Sequence, residues 1–148
     1  MNKIIIQLEQ ELNIQLPDTY KFLLNSFNNI LAIELKNGED VDFLSIKKLL
    51  EPYNKNSNRY QMIEVLMIDY FSSNKTQTLF CREAQTQIDS SLFAQSFYFA
   101  TLGDDSRLFF NLKDWSIWEF WMDDKSIKKL ANSFEEFMTD SKIIETDN

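Results

Sequence analysis

The chain has 148 residues, of which 44% are hydrophobic and 14% aromatic, and this is enough apolar material for the core of one folded domain. Its 15 Lys and Arg residues are outnumbered by 23 Asp and Glu residues, which gives a net charge of -8 at neutral pH. This balance is the opposite of a nucleic-acid-binding surface, so we expect no direct binding to DNA or RNA.

The first part of the chain predicts two helices followed by a hairpin. Apolar residues recur at helical spacing over residues 4–12, and a second apolar stripe follows Pro17, which suits the first turn of a helix. Residues 30–35 and 41–44 predict two antiparallel strands joined by a turn at Asn37-Gly38. The acidic side chains of this hairpin are Glu34, Glu39, Asp40 and Asp42.

The middle of the chain has weaker patterns. Ser45 is placed to cap a short helix, which ends before Pro52 and a polar loop over residues 54–58. Residues 62–70 are compatible with either a strand or a buried helix, and we favour the helix. Residues 72–91 are rich in Ser, Thr, Gln and Asn, which indicates a polar connector with room for a short helix.

The last third contains three apolar and aromatic runs, at residues 96–102, 108–112 and 115–122. Short runs of this composition, separated by turn residues, predict a three-stranded meander. Ser133 and Glu136 have the spacing of a capping box, so we expect a final helix to begin there.

No break in composition divides the chain, and we therefore predict a single α+β domain over residues 1–140 with a polar tail over residues 141–148. The apolar run at residues 4–6 is too short for a signal peptide or a membrane span. Cys81 is the only cysteine and cannot form an intramolecular disulfide. These features favour a cytoplasmic protein that does not bind membranes.

The residues needed for most catalytic sites are missing. Histidine is absent, which removes the usual general base, the commonest metal ligand and the usual partner of a nucleophilic Ser or Cys. Gly38 and Gly103 are the only glycines, too few for the common nucleotide-binding loops. The aspartate pairs at 104–105 and 123–124 offer oxygen ligands for a hard cation, but turn-forming surface aspartates are the stronger interpretation. We predict no enzyme activity, no metal and no cofactor.

Alternation along the meander assigns its side chains to two faces of a sheet. The face towards the helices is predicted to carry Tyr98, Ala100, Leu102, Leu108, Phe110, Leu112, Trp118, Phe120 and Met122. The opposite face is predicted to carry Phe97, Phe99, Arg107, Phe109, Asn111, Trp115, Glu119 and Trp121. A face that mixes aromatic and charged residues suits docking to another protein, whereas a covering element would make it a second core. The sequence leaves both alternatives open.

Three segments resemble the SUKH superfamily, which includes bacterial toxin-immunity proteins and a fungal cell-wall assembly regulator. LPDTYKFLL at residues 16–24 is similar to the signature that opens the second helix of that family. FATLGDD at residues 99–105 is similar to its apolar-Gly-Asp turn, although the glycine pair that often follows is replaced here by other residues. LANSFEEFM at residues 130–138 is close to its closing helix.

The resemblance implies an antiparallel β-sheet of four to six strands with helices packed on one side. It also implies an immunity protein that binds and blocks a cognate toxin, and many such toxins are basic nucleases, which would suit an acidic chain. A non-catalytic signalling or scaffold module is the alternative, and the oligomeric state stays open. From the acidic turns and the aromatic face, we expect partner contacts at Asp104, Asp105, Trp115, Glu119, Trp121, Asp123 and Asp124.

Overall fold

A computed structural model describes residues 3–51, 78–89, 96–103, 106–121 and 123–147. Its helices are α1 (Lys3–Leu12), α2 (Asp18–Leu24), α3 (Ile46–Leu49) and α4 (Phe134–Phe137). Its strands are β1 (Leu31–Glu34), β2 (Asp40–Phe43), β3 (Thr78–Cys81), β4 (Thr86–Asp89), β5 (Ser96–Leu102), β6 (Ser106–Asn111), β7 (Ile117–Trp121), β8 (Ser126–Ala131) and β9 (Lys142–Thr146). Among the helices described, none has the length and apolar character needed to cross a membrane.

The strands form one sheet of nine, in the order β4-β3-β8-β7-β6-β5-β2-β1-β9. The sheet is mixed because β3 pairs parallel with β8, placing Phe80 opposite Ser126, whereas the other neighbours are antiparallel. The α+β class is therefore confirmed, but the expected antiparallel sheet of four to six strands is too small. The additional strands are four to six residues long, and they lack the regular alternation of polar and apolar residues by which a strand is recognised in a sequence.

The locally encoded elements form as predicted. Helices α1 and α2 are present, and β1 and β2 make a hairpin whose turn places Gly38 at a φ of 88°, a conformation that glycine adopts without strain. Ser45 caps α3 by accepting a hydrogen bond from the Lys48 amide at 3.2 Å. Ser133 caps α4 in the same way through the Glu136 amide at 3.1 Å.

Two predictions for polar segments are wrong. Residues 78–89 were expected to lie in a connector, yet they form the antiparallel hairpin of β3 and β4. Residues 142–146 were expected to lie in the tail, yet they form β9 and pair with β1 at one edge of the sheet. The loop at 54–58 and the helix at 62–70 lie outside the described residues.

The main core lies between the helices and one face of the sheet, which we call the helical face, and it is centred on Tyr20. This fully buried ring packs against Phe99 at 5.6 Å, Phe110 at 5.2 Å and Phe134 at 5.4 Å between centroids, with edge-to-face geometry in each pair. Residues from all four described helices join this cluster. The helices therefore pack on one side of the sheet.

A second buried cluster lies on the outer face of the sheet, opposite the helices. It comprises Leu79, Cys81, Tyr98, Phe109, Phe120 and Ile127, with Trp118 packed against it. The outer face is thus a second core in this region, and of the two alternatives left open by the sequence, burial applies to Phe109. Arg107 also lies on this face, with its guanidinium 5.3 Å from the centre of the Tyr98 ring.

Several face assignments need correction. Phe97, Phe99, Trp115, Glu119 and Trp121 lie on the helical face instead of the outer face, and Tyr98, Trp118 and Phe120 lie on the outer face. One cause is a register shift between Tyr98 and Ala100, which interrupts the alternation of β5. The assignments of Ala100, Leu102, Leu108, Phe110 and Leu112 to the helical face are confirmed. Met122 lies outside the described residues.

Tyr20 supports a test of the main core. Its hydroxyl is buried, and no hydrogen-bond partner occurs among the residues that the structure describes. Tyr20→Phe should therefore leave the free energy of unfolding unchanged or raise it by about 1 kcal/mol, because it removes an unsatisfied polar group. Tyr20→Ala should lower it by about 3–5 kcal/mol through the cavity it leaves. Urea unfolding followed by tryptophan fluorescence measures both, and a loss above about 1 kcal/mol for Tyr20→Phe would contradict this packing.

Candidate functional site

The described helices do not cover the whole of the helical face. Where β7, β8 and the β3–β4 hairpin adjoin the β5–β6 turn, an open cleft of about 600 Å³ remains. We call it the acidic cleft, and its charged lining consists of Glu39, Arg82, Glu83, Glu119, Asp123 and Lys128. Four carboxylates thus face two basic groups. The cleft presents an excess of negative charge within a concave wall, where fields are stronger than on a flat surface.

Glu119 lies deepest among these charges, because only 6% of the residue is exposed. The pairing of β7 places it between Leu108 on β6 and Lys128 on β8, on the helical face. Burial raises the pKa of the Glu119 carboxyl, and the nearby Glu39 charge adds to this effect. A hydrogen bond with Ser106 and the charges of Lys128 and Arg82 act in the opposite direction but do not cancel it.

No Lys or Arg in the described part of the chain forms an ion pair with Glu119. Among the described residues, the buried Glu119 carboxyl therefore has the Ser106 hydroxyl as a partner but no direct ion pair, and the charges of Lys128 and Arg82 offset only part of the cost of its burial. A further cation at this position would offset more of that cost.

Trp121 forms one wall of the cleft and is held by Arg82. The guanidinium of Arg82 lies 3.4 Å from the centre of the Trp121 ring, a close cation–π contact. Its Nε donates to the Ser126 hydroxyl at 2.9 Å, and a terminal nitrogen donates to Asp124 at 3.3 Å. The parallel pairing of β3 with β8 brings Arg82 to this position, because its backbone amide donates to the Ile127 carbonyl at 2.9 Å.

Asp124 shapes the turn between β7 and β8. Its Oδ1 accepts hydrogen bonds from the amide of Ser126 at 3.0 Å and from the hydroxyl of Ser126 at 2.6 Å. Burial acts to raise the pKa of Asp124, but these hydrogen bonds and the charge of Arg82 outweigh it, and the pKa is lowered. Asp123 accepts the Asp124 amide at 2.8 Å and lines the cleft. Both aspartates therefore serve the turn, as the sequence indicated.

Trp115 lies at the opposite end of β7 from Trp121, and the length of the strand separates the two by about 13 Å or more. Trp115 follows a tight turn and itself has a φ of 61°. Its ring packs edge-to-face on Phe110, with the ring centres 5.3 Å apart. This tryptophan therefore contributes to the main core and does not line the acidic cleft.

The structure brings together only part of the predicted contact set. Glu119, Trp121 and Asp123 line the acidic cleft, Asp124 supports its wall from the adjoining turn, and Trp115 lies elsewhere. Asp104 and Asp105 lie outside the described residues, although Gly103 and Ser106 on either side of them line the cleft. Within the described ranges, no cluster of three or more His, Cys, Asp or Glu side chains is arranged to hold a metal ion.

Sequence reasoning missed Arg82, Glu83 and Lys128 as members of this site. The first two lie in the segment interpreted as a connector, and the third lies on an unrecognised strand. Glu39 was noted as part of an acidic hairpin, which was the one available signal for its role. Contacts between strands far apart in the chain assemble the remaining residues, and no local pattern encodes them.

The family model of the SMI1 / KNR4 family (SUKH-1) matches residues 2–140. The chain belongs to this family. The match covers nearly the whole chain and confirms the resemblance drawn from the three sequence segments. This SUKH family includes toxin immunity proteins. Comparisons with curated proteins and with solved structures find no match.

The raised pKa of Glu119 predicts how stability depends on pH. A carboxyl whose pKa is raised by folding binds its proton more tightly in the folded state, so stability falls as pH rises from about 4 through the folded pKa. Glu119→Gln should therefore be more stable than the wild type at neutral pH, with the difference disappearing below about pH 4. Urea unfolding across this pH range measures the effect.

Asp42→Asn is the matched control for this experiment, because it removes one exposed negative charge from the outer face. It should show no comparable gain in stability. A Glu119→Gln protein that is less stable than the wild type at neutral pH would show that the carboxylate is satisfied by the fold.

Proposed function

We propose that this chain is a cytoplasmic immunity protein that binds a cognate basic toxin domain and blocks it without catalysis. Membership of a family that includes toxin immunity proteins supports the class of function. The acidic cleft supports the mode of action, because its excess of carboxylates complements a basic surface. The net charge of -8 accelerates the encounter with such a partner and disfavours binding to nucleic acid.

The observation that supports this proposal most strongly is the state of Glu119. A buried carboxylate without an ion-pair partner conflicts with the consistent packing around it, and such conflicts concentrate at functional sites. A cation supplied by the toxin would resolve the conflict in the complex. Desolvated charge pairs of this kind slow dissociation, whereas exposed charges at the rim mainly steer association.

The other residues of the surface take separate roles in the proposal. Trp121 is the aromatic anchor, because its ring is preorganised by Arg82 and lines the cleft. Asp123 is a contact at the cleft wall, and Asp124 positions Arg82 through the ion pair at 3.3 Å. Asp104 and Asp105, which follow β5 and precede β6 in the sequence, remain proposed contacts.

We expect an immunity protein to be encoded beside its toxin, and co-expression with the toxin domain of such a neighbouring gene tests the function. The wild type should restore growth and form a complex that weakens steeply as salt is added. Trp121→Ala and Glu119→Gln should each weaken binding by about 2 kcal/mol, roughly 30-fold in Kd, because both change the centre of the interface. Asp42→Asn should change the Kd by less than about threefold, since this charge lies on the outer face.

Calorimetric titration of the purified proteins measures these affinities, and thermal unfolding verifies that each variant is folded. Rescue of growth without a stable complex would contradict blocking and indicate enzymatic detoxification. If both cleft variants bind the toxin as tightly as the wild type, the immunity function stands but the cleft is not part of the interface. Failure of the wild type to bind or protect would reject the immunity function and favour a scaffold role.

A further inference from the structure

A second cavity adjoins the acidic cleft on the helical face. It has a volume of about 620 Å³ and lies between the β1–β2 turn, β8 and α4. Its walls are mainly apolar, and we call it the apolar cavity, lined principally by Leu35, Leu102, Leu130 and Phe137. Glu39 and Leu102 line both spaces, so the cleft and the cavity adjoin at these two residues. We call the two adjoining spaces together the groove, which has two chemically different ends.

The walls of the apolar cavity are fixed by the main core. Phe137 is buried at the end of α4, and Leu35 and Leu130 pack against the same cluster. Phe137 packs edge-to-face on Phe99, with the ring centres 6.2 Å apart. A cavity between packed side chains is preorganised, so an apolar ligand group can enter it without ordering the protein first.

The acidic end of the groove carries more negative than positive charge, with four carboxylates and two basic groups. Arg82 contacts Trp121, Ser126 and Asp124, so its guanidinium forms part of the cleft wall. Lys128 lies beside Glu119 across the strand pair, but among the described residues Glu119 forms no ion pair. The charges of Lys128 and Arg82 reach Glu119 without cancelling the effect of its burial, so its carboxyl faces the cleft without a direct ion pair.

We propose that the groove binds an extended segment of the partner protein, with an Arg or Lys side chain in the acidic cleft and a large apolar side chain in the apolar cavity. The inference deepens the proposed function and rests on it for the identity of the partner. The negative charge of the cleft favours a cationic side chain, and the apolar walls of the cavity favour a large apolar side chain in the same segment. A long basic side chain also fits because its methylene stem packs on the Trp121 wall while its head reaches Glu119.

Blocked amino acids test the two ends without any toxin. The probes are N-acetyl-arginine amide, its uncharged analogue N-acetyl-citrulline amide and N-acetyl-leucine amide, titrated into the isotopically labelled full chain. Two-dimensional NMR should show the arginine probe shifting the Trp121 indole and the Glu119 amide, with the citrulline probe at least about tenfold weaker. The leucine probe should shift signals of Leu130 and Phe137 instead.

Two variants separate the ends of the groove. Glu119→Gln should weaken the arginine probe by roughly tenfold and leave the leucine probe unchanged, whereas Asp42→Asn should affect neither. Thr139→Phe places a ring at the exposed edge of the apolar cavity and should weaken the leucine probe by at least about fivefold. A peptide carrying both side chains should bind more tightly to the wild type than either probe alone.

The outcomes distinguish this inference from the proposed function. If the wild type binds the toxin but neither probe shifts the NMR signals of the groove, the proposed binding of a partner segment in the groove is overturned and the immunity function is left intact. Selective probe binding, with failure of toxin protection, would support the groove and reject the immunity function. Equal binding of the arginine and citrulline probes would overturn the acidic cleft as a site for a cation. Shifts of the groove signals that arise from raising the protein concentration alone would overturn the partner segment and assign the groove to a second copy of this chain.

Discussion

The packing of the helices around Tyr20 is the constraint on which the arrangement of this protein depends. Four aromatic rings of the main core, on Phe97, Phe99, Phe110 and Phe134, surround this one side chain with edge-to-face contacts. These contacts attach α2 and α4 to β5 and β6 near the middle of the sheet. Because the described helices are short and the sheet is wide, these helices leave part of the helical face uncovered. The groove occupies that uncovered part.

The two ends of the groove follow from how its strands are paired. The parallel pairing of β3 with β8 places Arg82 beside Trp121, and the antiparallel pairing of β7 places Glu119 over the cleft. Hydrogen bonds from Ser126 and an ion pair with Arg82 then hold Asp124 and fix the turn. Each of these contacts is satisfied within the fold. Glu119 is the exception, since its carboxyl is buried with a hydroxyl partner, and the charges of Lys128 and Arg82 do not cancel the effect of its burial.

Local signals in the sequence were sufficient for the elements that are encoded locally. Pro17 before α2, Asn37-Gly38 in the hairpin, and the caps Ser45 and Ser133 each act over a few residues, and each element formed where it was expected. The family resemblance was confirmed by the family model, which matches residues 2–140. The strands β3, β4, β8 and β9 were missed because they are four to six residues long and lack a regular alternation of polar and apolar residues, so that tertiary pairing stabilises them.

The candidate site was only partly predictable. Glu119 and Trp121 were identified from strand alternation and Asp123 from turn chemistry, but the face of the sheet predicted for Glu119 and Trp121 was wrong. A register shift after Tyr98 exchanges the faces of the later residues of β5. The strand β7 alternates without interruption, because the extra residue of the shift beside Ile117 lies on β8, so only its choice of face was wrong. The cations Arg82 and Lys128 reach the site through pairing between distant strands, which no local pattern reports.

Hydrogen–deuterium exchange of this chain, free and bound to a toxin domain that it neutralises, tests whether the groove is the binding surface. Exchange should slow on binding in the backbone that lines the groove, at residues 82–83, 119–121 and 128–130. It should not change at the turn around Trp115, at the far end of β7. Protection confined to that turn or to the outer face of the sheet would contradict the groove as the binding surface.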